Sequence, residues 1–137
     1  MPFPLTMDTP SAAPPSSAPG AGAALRAAAL LGFLAVALGA FGAHGLRPRL
    51  EANQTMAIWE KAVFYHFIHV VMLYLLASRE RFRAGPWWCF LAGILLFSGS
   101  LYVLALTNLR HLGAITPFGG VSFLVGWLWL AICPRRD

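Results

Sequence analysis

Four apolar runs, each close to the length a helix needs to cross a lipid bilayer, account for most of this chain. They fall at about residues 27–46, 62–77, 86–106 and 112–133. A bilayer's hydrocarbon core is about 30 Å thick, and about 20 helical residues rise that far. The second run is the shortest, so its helix is expected to begin earlier, near Met56, with Glu60 and Lys61 at headgroup level. In lipid every backbone N–H and C=O must be satisfied within the protein, which leaves helices or a closed barrel. No segment shows the period-two alternation of barrel strands. The expected fold is all-α, an integral membrane bundle of four transmembrane helices.

Composition agrees. Apolar residues make up 58% of the chain and charged residues 11%, against a soluble norm of about 45–50% and about 25%. A soluble fold of 137 residues could not hide that much apolar surface; a lipid bilayer is the expected partner. The net charge of +5 does not point to nucleic acid. The basic residues flank apolar runs, where they meet lipid headgroups, and no basic cluster comes with a recognition motif. Residues 1–24, rich in Pro, Ser, Ala and Gly, read as a disordered tail in which Met7 is an alternative start, and residues 25–137 read as the transmembrane domain. Small residues at Ala40-Phe41-Gly42-Ala43 resemble a signal cleavage site. The preceding stretch is long for a signal and carries one basic residue, Arg26, so an uncleaved first helix is expected. Cys89 and Cys133 lie in apolar runs without metal-ligand or redox spacing, and read as small packed hydrophobes.

The third span opens with Pro86 and the interfacial pair Trp87-Trp88. The fourth is expected to be broken near Thr116-Pro117, because proline cannot donate the helical hydrogen bond; Thr116 as N-cap with Pro117 at the first helical position is the expected arrangement. Residues 109–115 then form an irregular lead-in that neighbouring protein must cover, and Gly119 and Gly120 would allow that approach. Small residues at Ala35, Gly39 and Ala43, and at Gly119, Ser122 and Gly126, mark packing faces. Between spans one and two, Pro48 marks a turn, and residues 50–60 carry a weak amphipathic pattern that fits an interfacial segment or an ordinary loop. One side of the membrane collects Arg26, Arg79, Arg81, Arg83, Arg135 and Arg136; the other collects Arg47, Arg49, Lys61 and Arg110. The excess favours both termini in the cytoplasm.

Few residues can carry chemistry. His66 and His69 are three apart on one helix, and His44 and His111 lie toward the ends of spans one and four. No acidic cluster completes a metal site, so no metal is expected, and haem would need facing histidines on two helices. Lys61, Tyr65 and His69 recur every four residues as a polar stripe, which fits interhelical hydrogen bonding inside a bundle. Ser98, Ser100 and Tyr102 surround Gly99 without a nucleophile elbow or base, and membrane serines commonly bond back to their own backbone.

Four segments together resemble the small four-span membrane family catalogued as domain of unknown function 423, also called transmembrane protein 256-like. They are residues 39–46 (GAFGAHGL), residues 59–65 (WEKAVFY) leading to His69, residues 97–102 (FSGSLY) and residues 113–120 (GAITPFGG). The resemblance covers residues 30–132 and departs at His66, where the family more often has Gln. It implies fold and location rather than an activity. By analogy it implies a shared polar core of His44, Glu60, Tyr65, His69, Ser98, Ser100 and Thr116.

These features point away from an enzyme and carry no cofactor motif. The leading expectation is a non-enzymatic accessory or assembly subunit of a membrane complex, associating with other subunits or with itself. A small oligomeric transporter or proton-conducting protein using the Tyr65/His69 stripe is the alternative, and a haem- or quinone-associated redox protein a weaker one. Ala, Gly and Arg usage fits a bacterial inner membrane.

Overall fold

The computed structural model describes residues 20–133. Most of the expected tail, with Met7, and the final residues Arg135 and Arg136 lie outside these. Residues 21–24, assigned to the tail from composition, are helical and open α1 (Ala21–Ala43). A short α2 (Arg47–Ala52) follows, then α3 (Met56–Ala77). The third span runs through α4 (Ala84–Gly93), a π turn (Ile94–Ser98) and α5 (Gly99–Thr107). A 3-10 turn (Arg110–Ala114) leads into α6 (Thr116–Ile132). The four spans are 22 to 24 residues long, a rise of roughly 33–36 Å at 1.5 Å per residue. The fold is the all-α four-span bundle expected, with the fourth span interrupted ahead of Pro117. Phe33, Phe41, Phe118 and Leu124 stand more than half exposed on its outer face, as lipid-facing side chains do.

Helix α1 packs chiefly on α3 through Ala28, Gly32, Ala35, Gly39 and Gly42. Steps of four and three keep a seam facing its partner, the geometry of a shallow left-handed crossing. A Cβ on Gly42 would overlap the indole of Trp59, whose Nε1 donates to the Leu38 carbonyl at 3.1 Å. Ala43, expected on the packing face, is exposed. Across the bundle α6 lies on α4 and the π turn, small against large: Gly126 receives Phe90, and Gly93 receives Phe123. Ser122 donates to the Cys89 carbonyl at 2.7 Å. Trp88 is exposed as an interfacial ring should be, whereas Trp87 is buried in the core against Phe82.

The segment after Pro48 forms the short helix α2 rather than a loop. Leu50 is fully buried against Trp59 and Ala105, so α2 plugs the end of the bundle. Its polar groups then cap α5. A helix ends with carbonyls that have no partner within the helix. Here Thr55 Oγ1 donates to the Ala105 carbonyl at 2.7 Å, and Asn53 Nδ2 to the same oxygen at 3.0 Å. Arg49 Nε donates to Leu106 at 3.1 Å, placing a cation at the negative end of the helix dipole. Asn108 supplies the left-handed residue (φ 58°) that turns the chain out of α5.

Candidate functional site in the bundle interior

The expected seven-residue polar core does not form as one group. His44 caps the exposed end of α1, Glu60 stands on the outer face of α3, and His111 is exposed. His44 and His111 are exposed, whereas His66 and His69 are buried. The other five fall in three places: His69 with Tyr65, Ser100 with Thr116, and Ser98 one turn before Tyr102, which with its partner His66 was not among the seven.

His69 is held on every side. Its Nδ1 lies 2.8 Å from the Tyr65 carbonyl, one turn back on α3. A carbonyl only accepts, so Nδ1 carries the proton and Nε2 is bare. That nitrogen accepts a hydrogen bond from Trp127 Nε1 on α6 at 3.2 Å. The ring stacks on Phe123 with centroids 3.6 Å apart, and Phe90 closes another side. The polar stripe fades outward, His69 being buried, Tyr65 37% exposed and Lys61 exposed. With both ring nitrogens engaged, His69 reads as a neutral tether between α3 and α6. Those two helices meet mainly through these aromatic side chains, leaving a groove of about 510 Å³ lined by Tyr65, His69, Phe97, Phe123 and Trp127.

Ser100 and Thr116 join the third span to the fourth. Their hydroxyls are 2.9 Å apart, and Ser100 also donates to the Phe97 carbonyl at 3.0 Å. Thr116 is therefore not the expected N-cap. Ile115 holds the N-cap position, Thr116 is the first helical residue and Pro117 the second. The threonine hydroxyl reaches across to Ser100 instead of back to its own helix. Three residues on, Gly119 meets backbone: a Cβ there would come within 2.8 Å of Phe97 Cα. Gly120 meets nothing closer than 3.9 Å. Of the two glycines expected to admit a neighbour, Gly119 does so.

The third locus links α3 to α5. His66 Nδ1 lies 3.1 Å from Tyr102 Oη, and the Tyr102 ring packs edge-on against Trp59 at 4.8 Å. His66 is 2% exposed and Ser98 0%. Neither His66 Nε2 nor Ser98 Oγ has a protein hydrogen-bond partner. The serine back-bond expected along this helix is made by Ser100 and not by Ser98, which ends the π turn. Single π turns inside α-helices are frequent at functional sites. The spacing of Ser98 and Tyr102, four apart on one helix face, was the available signal; which residue of α3 they would meet was not. Among the described residues, no three His, Cys, Asp or Glu side chains assemble as a metal site. His66 and His69 share one helix and turn to different partners, so they are not a facing pair for haem.

Comparison with known proteins places this arrangement. The model of the family described as protein of unknown function, DUF423, matches residues 38–120. That stretch runs from the later part of the α1 seam through His66, His69, Ser98, Ser100, Tyr102 and Thr116 to Gly119 and Gly120, and stops short of Phe123 and Trp127. The chain belongs to the DUF423 family. A UPF0382 membrane protein of Staphylococcus epidermidis is 48% identical over 113 residues, covering 79% of this chain and 91% of the relative. Another from Staphylococcus saprophyticus is 46% identical over 109 residues, covering 76% and 89%. The UPF0382 membrane protein YwdK of Bacillus subtilis is 41% identical over 110 residues, again covering 76% and 89%. No solved structure matches the chain. This DUF423 chain is thus a membrane protein with bacterial relatives, and its interior polar groups are matched largely to one another.

Proposed function

We propose that this DUF423 protein is a non-enzymatic subunit that works by association inside the membrane, as an accessory or assembly factor of a larger complex or of its own oligomer. The observation that carries this reading is a contrast between inside and outside. Inside, the polar side chains at His69, Ser100, Thr116 and Ser122 are occupied holding helices together. Outside, α1 and α3 leave an apolar groove of about 430 Å³ whose walls include Gly39, Ala43, Met56, Glu60, Val63 and Phe64. Glu60 is exposed there, and the ion pair among the described residues is Arg47–Glu51, elsewhere. Small residues permit close approach of a further helix, and a carboxylate near the membrane surface gives it a polar anchor. A partner helix carrying a basic or hydroxyl side chain at that depth fits the groove. The excess of Arg beside α1 and in the loop between α3 and α4 supports cytoplasmic termini in a bacterial inner membrane.

The test is to fill the groove. Ala43→Leu and Glu60→Gln, both at exposed positions of the groove, are expected to leave the fold intact and to lower the abundance of a co-purifying membrane complex. If both variants, and deletion of the gene, leave every membrane complex at its normal abundance and activity, the reading fails.

A second reading, a small transporter or proton conductor, draws on the α3/α6 groove where Tyr65 and His69 meet Phe97 and Trp127. It requires the His69–Trp127 bond to open, and an oligomer to complete a path. Proteoliposomes that show no flux of protons or small ions would remove it.

A further inference from the structure

We infer that His66, Ser98 and Tyr102 hold a water molecule inside the bundle, hydrogen-bonded to His66 Nε2 and Ser98 Oγ. His66 lies six residues along α3 from Glu60, roughly 9 Å deeper than that carboxylate. Tyr102 Oη meets its Nδ1 at 3.1 Å. A helical tyrosine leans back over the turn before it, and the residue on that face one turn before Tyr102 is Ser98. Its hydroxyl thus sits on the flank of the same phenol that the imidazole touches.

The chemistry of the pair demands one more partner in either tautomer. If Tyr102 donates to Nδ1, then Nε2 carries a hydrogen with nothing in the protein to receive it. If Nδ1 carries the proton and donates, Nε2 is a bare acceptor and the phenol hydrogen needs a receiver. Ser98 adds a buried hydroxyl, also without a protein partner. Buried polar groups in lipid are costly unless bonded, and a water offers two donors and two acceptors to whichever arrangement is present. The site is polar enough to keep it, which an apolar void is not. The π turn that Ser98 ends loosens the backbone ladder at the same place, and such interruptions are where a water inserts. The ligand is a single water or a small hydroxylic molecule of that size, and its role is to complete the bond between α3 and α5.

Solid-state NMR of the full-length protein in lipid bilayers, with ¹⁵N-labelled histidine and ¹³C-labelled serine, tests this directly. Water-edited correlation is expected to show magnetisation reaching both the His66 ring nitrogen and Ser98 Cβ from bound water, with the His66 signals assigned by their loss in His66→Gln. In Ser98→Ala the water contact at His66 is expected to be lost, and in Ser98→Thr it is expected to remain. If the wild-type protein shows no water contact at either residue, or correlates Nε2 with the serine hydroxyl directly, the inference is overturned. A water contact at His66 undiminished in Ser98→Ala overturns it as well. Should Ser98→Ala fail to fold, the two wild-type contacts decide the matter alone.

Discussion

Trp127 donates to the one ring nitrogen of His69 that the Tyr65 carbonyl leaves free, so the imidazole is fixed in one neutral tautomer by two helices. Interhelical hydrogen bonds in membranes are individually modest. Trp127→Phe, which keeps a ring and deletes the donor, is expected to lower stability by about 0.5–1.5 kcal/mol. His69→Ala also empties a site stacked at 3.6 Å on Phe123 and is expected to cost about 2–4 kcal/mol. Reversible unfolding of the protein in mixed micelles measures both. Equal losses for the two variants would mean that the imidazole contributes no packing of its own. A spine of Tyr65 and His69 was readable from their spacing of four. The partner was not, because Trp127 lies 58 residues away and looks from sequence like an ordinary interfacial tryptophan.

At the scale of elements, backbone proximity matters more than polarity. Gly119 sits against the main chain of the π turn, where no rotamer change can make room. Gly119→Ala is expected to destabilise the bundle by about 1–3 kcal/mol. Gly120→Ala, whose Cβ would meet only the Phe97 ring at 3.9 Å, is expected to be neutral or slightly stabilising because alanine favours helix. The same unfolding assay separates them, and matched behaviour would contradict the packing described. The cap that α2 places on α5 makes a second case. Thr55→Val removes the 2.7 Å bond to the Ala105 carbonyl and is expected to cost about 1–2 kcal/mol. Native-state hydrogen exchange should show the loss as faster exchange in the last turn of α5. The four spans and the break ahead of Pro117 were legible because length, hydropathy and proline chemistry are local properties. Thr116 misled for the same reason: a threonine before a proline at a helix start is a good local cap, and only the neighbouring span supplied the Ser100 hydroxyl that took it over. The role of α2 was hidden because Leu50 is an unremarkable residue until Trp59 and Ala105 close around it.

For the whole molecule, the lipid-facing shell and the hydrogen-bonded interior divide the work. The interior specifies how four helices pack, and the exterior offers the α1/α3 groove with Glu60 on its wall. Sidedness is the first whole-molecule property to fix. Cys133, exposed at the end of α6, is expected to react with a membrane-impermeant maleimide in inverted vesicles and to resist it in intact cells or right-side-out vesicles, with Cys89→Ser as background. Labelling from the outside would reverse the topology. Native mass spectrometry of the protein released gently from its own membrane tests the central proposal most directly. Association requires masses above that of the single chain, from other subunits or from further copies, that fall away in Ala43→Leu. A bare monomer under conditions that preserve other membrane complexes would contradict it.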